Sequence, residues 1–189
     1  MPSRHSPSGS TPLQLLAYTD GGSRGNPGPA GYGVVLQELS GKAVGTLSGF
    51  LGTTTNNVAE YHALLAALEY AVEKKAARLQ VFSDSELMVR QMQGRYKVQS
   101  ADLQPLYRRA LELAATIGDF SIRHVPREQN READRLANAA MDRGRTTPAP
   151  PVLSFWAVAE NGRLKPVERV PELEDGAEYE VKARRKPRS

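Results

Sequence analysis

The sequence predicts an α/β protein: a five-stranded mixed sheet, three antiparallel strands followed by parallel ones, flanked by helices. Three observations predict it. Three strand-like runs follow one another near the N-terminus with short connections. The apolar periodicity then changes from two to 3.6 residues. After that change, short apolar strands alternate with helical stretches, which implies parallel pairing through helical crossovers.

Leu13–Thr19 reads as the first strand, running into Asp20-Gly21-Gly22, where a turn is expected. Ser23–Gly31 holds Gly25, Pro27, Gly28, Pro29 and Gly31 and reads as a loop or broad hairpin tip. Tyr32–Leu39 and Val44–Leu51 are the next strands, with Gly41-Lys42 as the turn between them, giving an antiparallel meander. Val58, Tyr61, Leu64, Leu65, Leu68 and Val72 then form one stripe of an amphipathic helix. Leu79–Phe82 is a short strand, Ser85–Met92 a short helix, and Leu103–Ile117 a longer one with Leu103, Leu106, Leu111 and Ala114 inward. Phe120–Val125 is the last strand of this region and Arg131–Arg143 its last helix.

Around this framework, residues 1–12 are rich in Ser, Pro and Gly and are expected to be disordered. Residues 13–144 form the main domain, and 145–151, with Pro148, Pro150 and Pro151, a linker. Residues 152–189 read as a small β-like extension with strand pieces at Leu153–Ala159 and Tyr179–Val181 around Glu160-Asn161-Gly162-Arg163. That extension ends in a basic tip holding Lys182, Arg184, Arg185, Lys186 and Arg188.

Composition narrows the function classes. There are no cysteines, which excludes disulfides, thiolate metal sites and a cysteine nucleophile. No apolar run is long enough to span a membrane, and the N-terminal stretch lacks the apolar core of a secretory signal. The expectation is a soluble cytoplasmic monomer. The net charge of +4 is compatible with a polyanionic partner.

Four acids sit at particular places. Asp20 ends the first strand, Glu60 lies in the first turn of the first long helix, Asp84 follows the fourth strand, and Asp134 begins the last helix. If the first and fourth strands are neighbours, Asp20 and Asp84 emerge side by side at one sheet edge, within reach of Glu60 and Asp134. Such a cluster repels itself unless cations occupy it. Mg²⁺ binds through a few carboxylates plus substrate phosphate and water. Two such ions about 4 Å apart suit in-line displacement at phosphorus. Each acid alone also has a purely structural reading. Asp20 before two glycines can form a turn. Asn57 with Glu60, and Ser83 with Glu86, have capping-box spacing. Asp134 suits a helix N-terminus. Those readings do not explain why four acids gather at one edge.

The run Tyr18-Thr19-Asp20-Gly21-Gly22-Ser23-Arg24-Gly25-Asn26-Pro27-Gly28-Pro29-Ala30-Gly31-Tyr32-Gly33 resembles the opening signature of type 1 ribonuclease H. Thr55-Asn56-Asn57 with Glu60, Ser83-Asp84-Ser85, and His124 through Asn130 to Asp134 resemble its other blocks, in order, over roughly residues 13–143. The resemblance implies the ribonuclease H-like fold and a metal-dependent endonuclease that cuts the RNA strand of an RNA–DNA hybrid, with two Mg²⁺ ions, Mn²⁺ being the alternative. It implies that Asp20 bridges both ions, that Asp134 completes the water-activating one, and that Glu60 and Asp84 hold the other. Asn26 and Asn56 match positions facing the RNA minor groove, where the 2′-hydroxyl distinguishes RNA from DNA. Thr55 matches a position that binds a phosphate of the DNA strand. His124 matches a catalytic histidine that assists departure of product or proton, although Phe120, Ile122 and His124 share one strand face, so a partly buried core histidine is the alternative.

The chain departs from some members in three ways. Position 86 is Glu where they carry Gln, Val125-Pro126-Arg127-Glu128 is more compact than their flexible loop, and there is no room for an extra basic helix-and-loop between Asp84 and Asp119. Arg90, Arg95 and Lys97 are candidates to replace part of that handle, or form a solvated helix face. Competing readings are another nuclease of the same superfold and a hybrid-binding module that does not cut. Double-stranded RNA stays open as a further substrate.

Overall fold

The computed structural model describes residues 12–146, 157–160, 163–167 and 170. The chain divides into two units, Met1–Thr147 and Pro148–Ser189. In the first, β1 (Gln14–Ser23), β2 (Gly28–Glu38), β3 (Ala43–Thr54), β4 (Arg78–Ser83) and β5 (Asp119–His124) form one sheet in the order β3-β2-β1-β4-β5. β1–β2 and β2–β3 are antiparallel, and β1–β4 and β4–β5 are parallel, as the sequence predicts. The helices are α1 (Asn56–Glu73), α2 (Glu86–Met92), α3 (Leu103–Thr116) and α4 (Arg131–Thr146), with a single 3₁₀ turn at Arg127–Gln129 that the sequence reading lacks.

β1 alternates, with Leu15, Ala17 and Thr19 buried on one face. That face joins Val34, Leu36, Leu79 and Val81 under α1, whose Tyr61, Leu64, Leu68 and Ala71 are fully covered. Burying each such side chain stabilises the fold by about 1.5–3 kcal/mol. α1 is buried more widely than one stripe because sheet and α3 cover it from two sides. α4 packs on β2 and the opposite face of the sheet.

Two expectations are corrected here. β1 does not turn at Asp20-Gly21-Gly22; it continues to Ser23, pairing Asp20 with Gly33, Gly21 with Tyr32 and Gly22 with Gly31. The glycines serve close packing. A Cβ at Gly21 would lie 2.2 Å from the Ala59 carbonyl carbon and the Glu60 nitrogen, and one at Gly33 would lie 2.4 Å from the Ala133 oxygen. Both distances are far inside van der Waals contact. The second correction concerns α3: Leu111 is 39% exposed, whereas Ala110, Leu113 and Ala114 are buried. At 100° per residue, the stripe that starts at Leu103 returns inward at 110 and 113–114.

In the second unit, β6 (Ala157–Glu160) and β7 (Arg163–Pro166) pair antiparallel. β6 ends at Glu160 and β7 begins at Arg163, the two residues facing each other in the ladder, and β7 is an addition to the expected strands. The linker expected at 145–151 starts too early, because α4 runs on through Thr146; its remainder at 147–151, the expected disordered N-terminal segment, the pieces at residues 153–156 and 179–181, and the basic tip lie outside the described residues.

Candidate active site

The four acids meet at the edge where β1 outruns β4. β4 ends at Ser83, opposite Thr19, so Asp20 stands one residue past the end of its neighbour and Asp84 follows directly. Glu60 arrives from one face of the sheet, because α1 rests on the bare backbone of Gly21. Asp134 arrives from the other face, because α4 rests on Gly33, the cross-strand partner of Asp20. Two helix layers and two strand ends therefore deliver one carboxylate each.

Helix starts contribute as well. Thr55, not Asn57, caps α1, its Oγ1 accepting from the Val58 nitrogen at 3.4 Å. Ser85, not Ser83, caps α2, accepting from the Met88 nitrogen at 3.4 Å. With α1 beginning at Asn56, Glu60 falls past the first turn, so the helix dipole does not account for it. Asp134 does lie in the first turn of α4.

The electrostatics show the strain of gathering acids. Burial, followed by the charges of Asp84, Asp134 and Glu60, pushes the Asp20 carboxyl from 3.8 up to about 8. Burial also raises Glu60 to about 7, against the hydrogen bonds from Ser85 and Asn56, which favour its ionised form. The other acids have partners of their own. Asn130, buried, donates from Nδ2 to the Thr19 carbonyl at 2.9 Å and to Asp84 Oδ1 at 2.8 Å. Arg127 pairs with Asp134 at 2.5 Å. Glu60, Asp84 and Asp134 are thus each drawn to a near neighbour, and among the described residues no three acidic or histidine side chains close on a single point. The donor set is oxygen only, anionic, and short of compensating charge around Asp20. This fits hard divalent cations and excludes a thiolate- or imidazole-rich centre.

The predicted substrate contacts form a connected set beside Glu60. Asn56 donates from Nδ2 to Glu60 Oε1 at 2.9 Å, and its Oδ1 accepts from the Ser23 nitrogen at 3.3 Å. Asn26 is exposed, and its Oδ1 accepts from the Asn56 nitrogen at 3.2 Å. Thr55 precedes Asn56 on the same turn.

His124 is exposed at the end of β5, in register with Ser83 and therefore one residue from the strand position of Asp84. The core-histidine alternative fails, because the covered residue on that face is Ile122.

Sequence reasoning missed Asn130, Ser85 and Arg127 as holders of the acids. Asn130 stands just before α4, where an Asn reads as an ordinary helix-start residue, and its contact with Thr19 spans 111 positions. Only the fold reveals it.

A sheet edge lined by four carboxylates, with helices feeding it from both faces, defines a protein of the ribonuclease H-like fold. A family model described as reverse transcriptase-like matches residues 18–140. The bifunctional protein Rv2228c of Mycobacterium tuberculosis is 47% identical over 131 residues, covering 69% of this chain and 36% of that protein. The chain thus spans about a third of the length of that longer relative. Ribonuclease HI of Halobacterium salinarum is 45% identical over 129 residues, covering 68% of this chain and 65% of that protein. The structure of LC11-RNase H1 in complex with RNA/DNA hybrid is 41% identical, with a TM-score of 0.66, covering 70% of this chain and all of that one. The chain belongs to the type 1 ribonuclease H family, in a compact form in which only Gln93–Asp102 separates α2 from α3.

Proposed function

We propose that this protein is an endonuclease that hydrolyses the RNA strand of RNA–DNA hybrids with two divalent cations, Mg²⁺ or Mn²⁺. The observation that carries the reading is the connection Asn26–Asn56–Glu60. It joins amides suited to reading a 2′-hydroxyl directly to the acid cluster. Asp20, Glu60, Asp84 and Asp134 would hold the ions, which when bound activate water and stabilise the leaving oxygen.

The chain's own residues do the rest. Asn56 fixes Glu60 Oε1 and, with Ser85 on Oε2, holds that carboxylate in one orientation. Asn130 does the same for Asp84. Asn26 and Asn56 accept from and donate to the ribose hydroxyls, and Thr55, which precedes Asn56, would bind a phosphate of the DNA strand. In the reaction a P–O bond of the RNA backbone breaks, water supplies the new oxygen at phosphorus, and the departing oxygen gains a proton. His124, exposed at the end of β5 and in register with Ser83, would pass that proton.

The test compares a labelled hybrid, an RNA duplex and a DNA duplex of one sequence, with Mg²⁺. Cleavage of the hybrid's RNA strand, loss of cutting when the scissile-site riboses are 2′-deoxy, and no cleavage of the DNA duplex are expected. Equal cutting of hybrid and DNA duplex would overturn the reading. Whether the RNA duplex is cut defines how strongly the second strand must be DNA.

A further inference from the structure

Beside the acid cluster, toward the outer edge of the sheet, lies a shallow cleft of about 280 Å³ between α2 and β5. Its lining includes Glu86, Arg90, Gln93, Arg95, Arg123 and His124. The sign of its charge follows from how these groups are paired. Arg90 binds Glu86 Oε1 through Nε and Nη2, at 3.1 and 2.5 Å, and donates from Nη1 to the Tyr96 hydroxyl at 3.0 Å. That pair is internally neutral. Arg95 and Arg123 are exposed, and neither guanidinium takes an ion-pair or hydrogen-bond partner among the described residues. The cleft therefore carries two uncompensated positive charges.

Local structure holds them there. α2 is closed off just past its end by Gly94, whose φ of +71° is a left-handed conformation that side-chain-bearing residues rarely adopt. Its nitrogen donates to the Gln91 carbonyl at 2.9 Å, and the Arg95 nitrogen donates to the Arg90 carbonyl at 2.9 Å. This reversal turns Arg95 back toward the helix end. Gln93 then donates from Nε2 to the Ile122 carbonyl at 3.0 Å, fastening the helix end to β5 one residue before Arg123. Arg123 in turn precedes His124, which lines the same cleft.

Given the function proposed above, we infer that this cleft seats a backbone phosphate of the RNA strand to one side of the bond that is cut. The strand order places Asn26, Thr55 and Asn56 on the β2–β3 side of the acids and the cleft on the β5 side. Substrate running along this edge must pass both. β5 lies two strand spacings from β1, about 10 Å. That corresponds to about three nucleotides of strand at 3.4 Å of rise each. Guanidinium groups suit a phosphate because their planar donors match its oxygens. The assignment to the RNA strand rests on His124, which serves the scissile phosphate and forms part of the cleft wall.

The experiment uses the full chain, in steady-state cleavage of the hybrid and in hybrid binding across a salt series. Arg95→Ala and Arg123→Ala should each raise KM by about fivefold, the upper end for an exposed charge contact. The loss should fall on KM and not on kcat. The double variant should flatten the slope of log K against log salt by about one per lost phosphate contact, and Arg→Lys at each position should restore most of the slope. In wild type, a neutral methylphosphonate moved along the RNA strand, with a matching 2′-O-methyl phosphodiester control, should weaken binding at one position on the β5 side. That penalty should disappear in the double variant. If the sensitive position lies on the DNA strand, if salt slopes are unchanged, or if kcat falls at constant KM, the inference is overturned. Failure of the wild-type protein to cut hybrid at all would instead overturn the proposed function.

Discussion

Glu60 and Asp134 reach Asp20 from opposite faces of one sheet, yet they are held by different means. Glu60 is clasped by two neutral donors, Ser85 and Asn56, above a helix that touches the Gly21 backbone. Asp134 keeps 27% of its side-chain surface exposed and leans on Arg127, itself 72% exposed. One acid is fixed by packing, the other by an ion pair at the surface. The difference teaches where the site is rigid and where it can adjust: the α1 side is a template, and the α4 side can exchange partners.

The largest effect should come from the acid both sides share. Asp20→Asn should abolish hybrid cleavage while the protein stays folded. Without metal it should also raise the melting temperature near pH 8 by several degrees. The sign follows from the raised carboxyl. The folded chain holds the Asp20 proton more tightly than the unfolded chain does, so Asp20's own contribution to metal-free stability is fully present below about pH 4 and is lost as pH rises through about 8. The Asn variant should lose that slope, and chelator-treated thermal melts across pH would show it. Wild-type turnover in this variant would remove the two-metal reading.

Next comes the template. Gly21→Val must force α1 away from β1, because even a Cβ there would lie 2.2 Å from the α1 backbone. A cost of about 3 kcal/mol or more in denaturant melts is expected, at or above the usual range for overpacking, with kcat lowered in whatever fraction folds. A variant of wild-type stability would show that the close approach is not required.

His124→Ala should lower kcat by roughly 10²-fold, the low end for general acid–base groups, with KM little changed. Because the side chain is exposed, the melting temperature should hold. An early-melting variant with normal turnover would return the histidine to a structural role.

The smallest effect should fall on the adjustable side. Arg127→Ala removes an exposed ion pair and should change stability by under about 1 kcal/mol. It frees Asp134, so the Mg²⁺ concentration for half-maximal rate should fall. A metal titration showing a higher requirement would mean that Arg127 organises the site instead of competing for it.

Much of this was legible beforehand, because element order, the switch of periodicity and the four acids are local signals. Other features were not. Asp20-Gly21-Gly22 reads as a turn because glycine permits both a turn and the close approach of another backbone, and only the neighbouring helix decides between them. Thr55 and Ser85 displaced Asn57 and Ser83 as caps by two positions each, within the usual uncertainty of helix ends. Leu111 was misplaced because an alanine, Ala110, took the inward position next to it. Asn130's clasp on Asp84 and the pairing of His124 with Ser83 join residues far apart in the chain, and no local pattern encodes them.

The direction in which the strands run has a further consequence. Asp20, Glu60, Asp84, Asp134 and His124, the groups proposed to react, all stand at the edge where β1 and β4 end. The β2–β3 turn at Ser40–Lys42, the α1–β4 turn at Lys74–Ala77 and the α3–β5 turn at Gly118 all lie at the opposite edge, a strand length of roughly 20 Å away. Those turns connect elements without touching the chemistry. They are the natural points at which the domain can be interrupted, relabelled or rejoined to another, so new segments can be grafted there while the catalytic edge keeps its form.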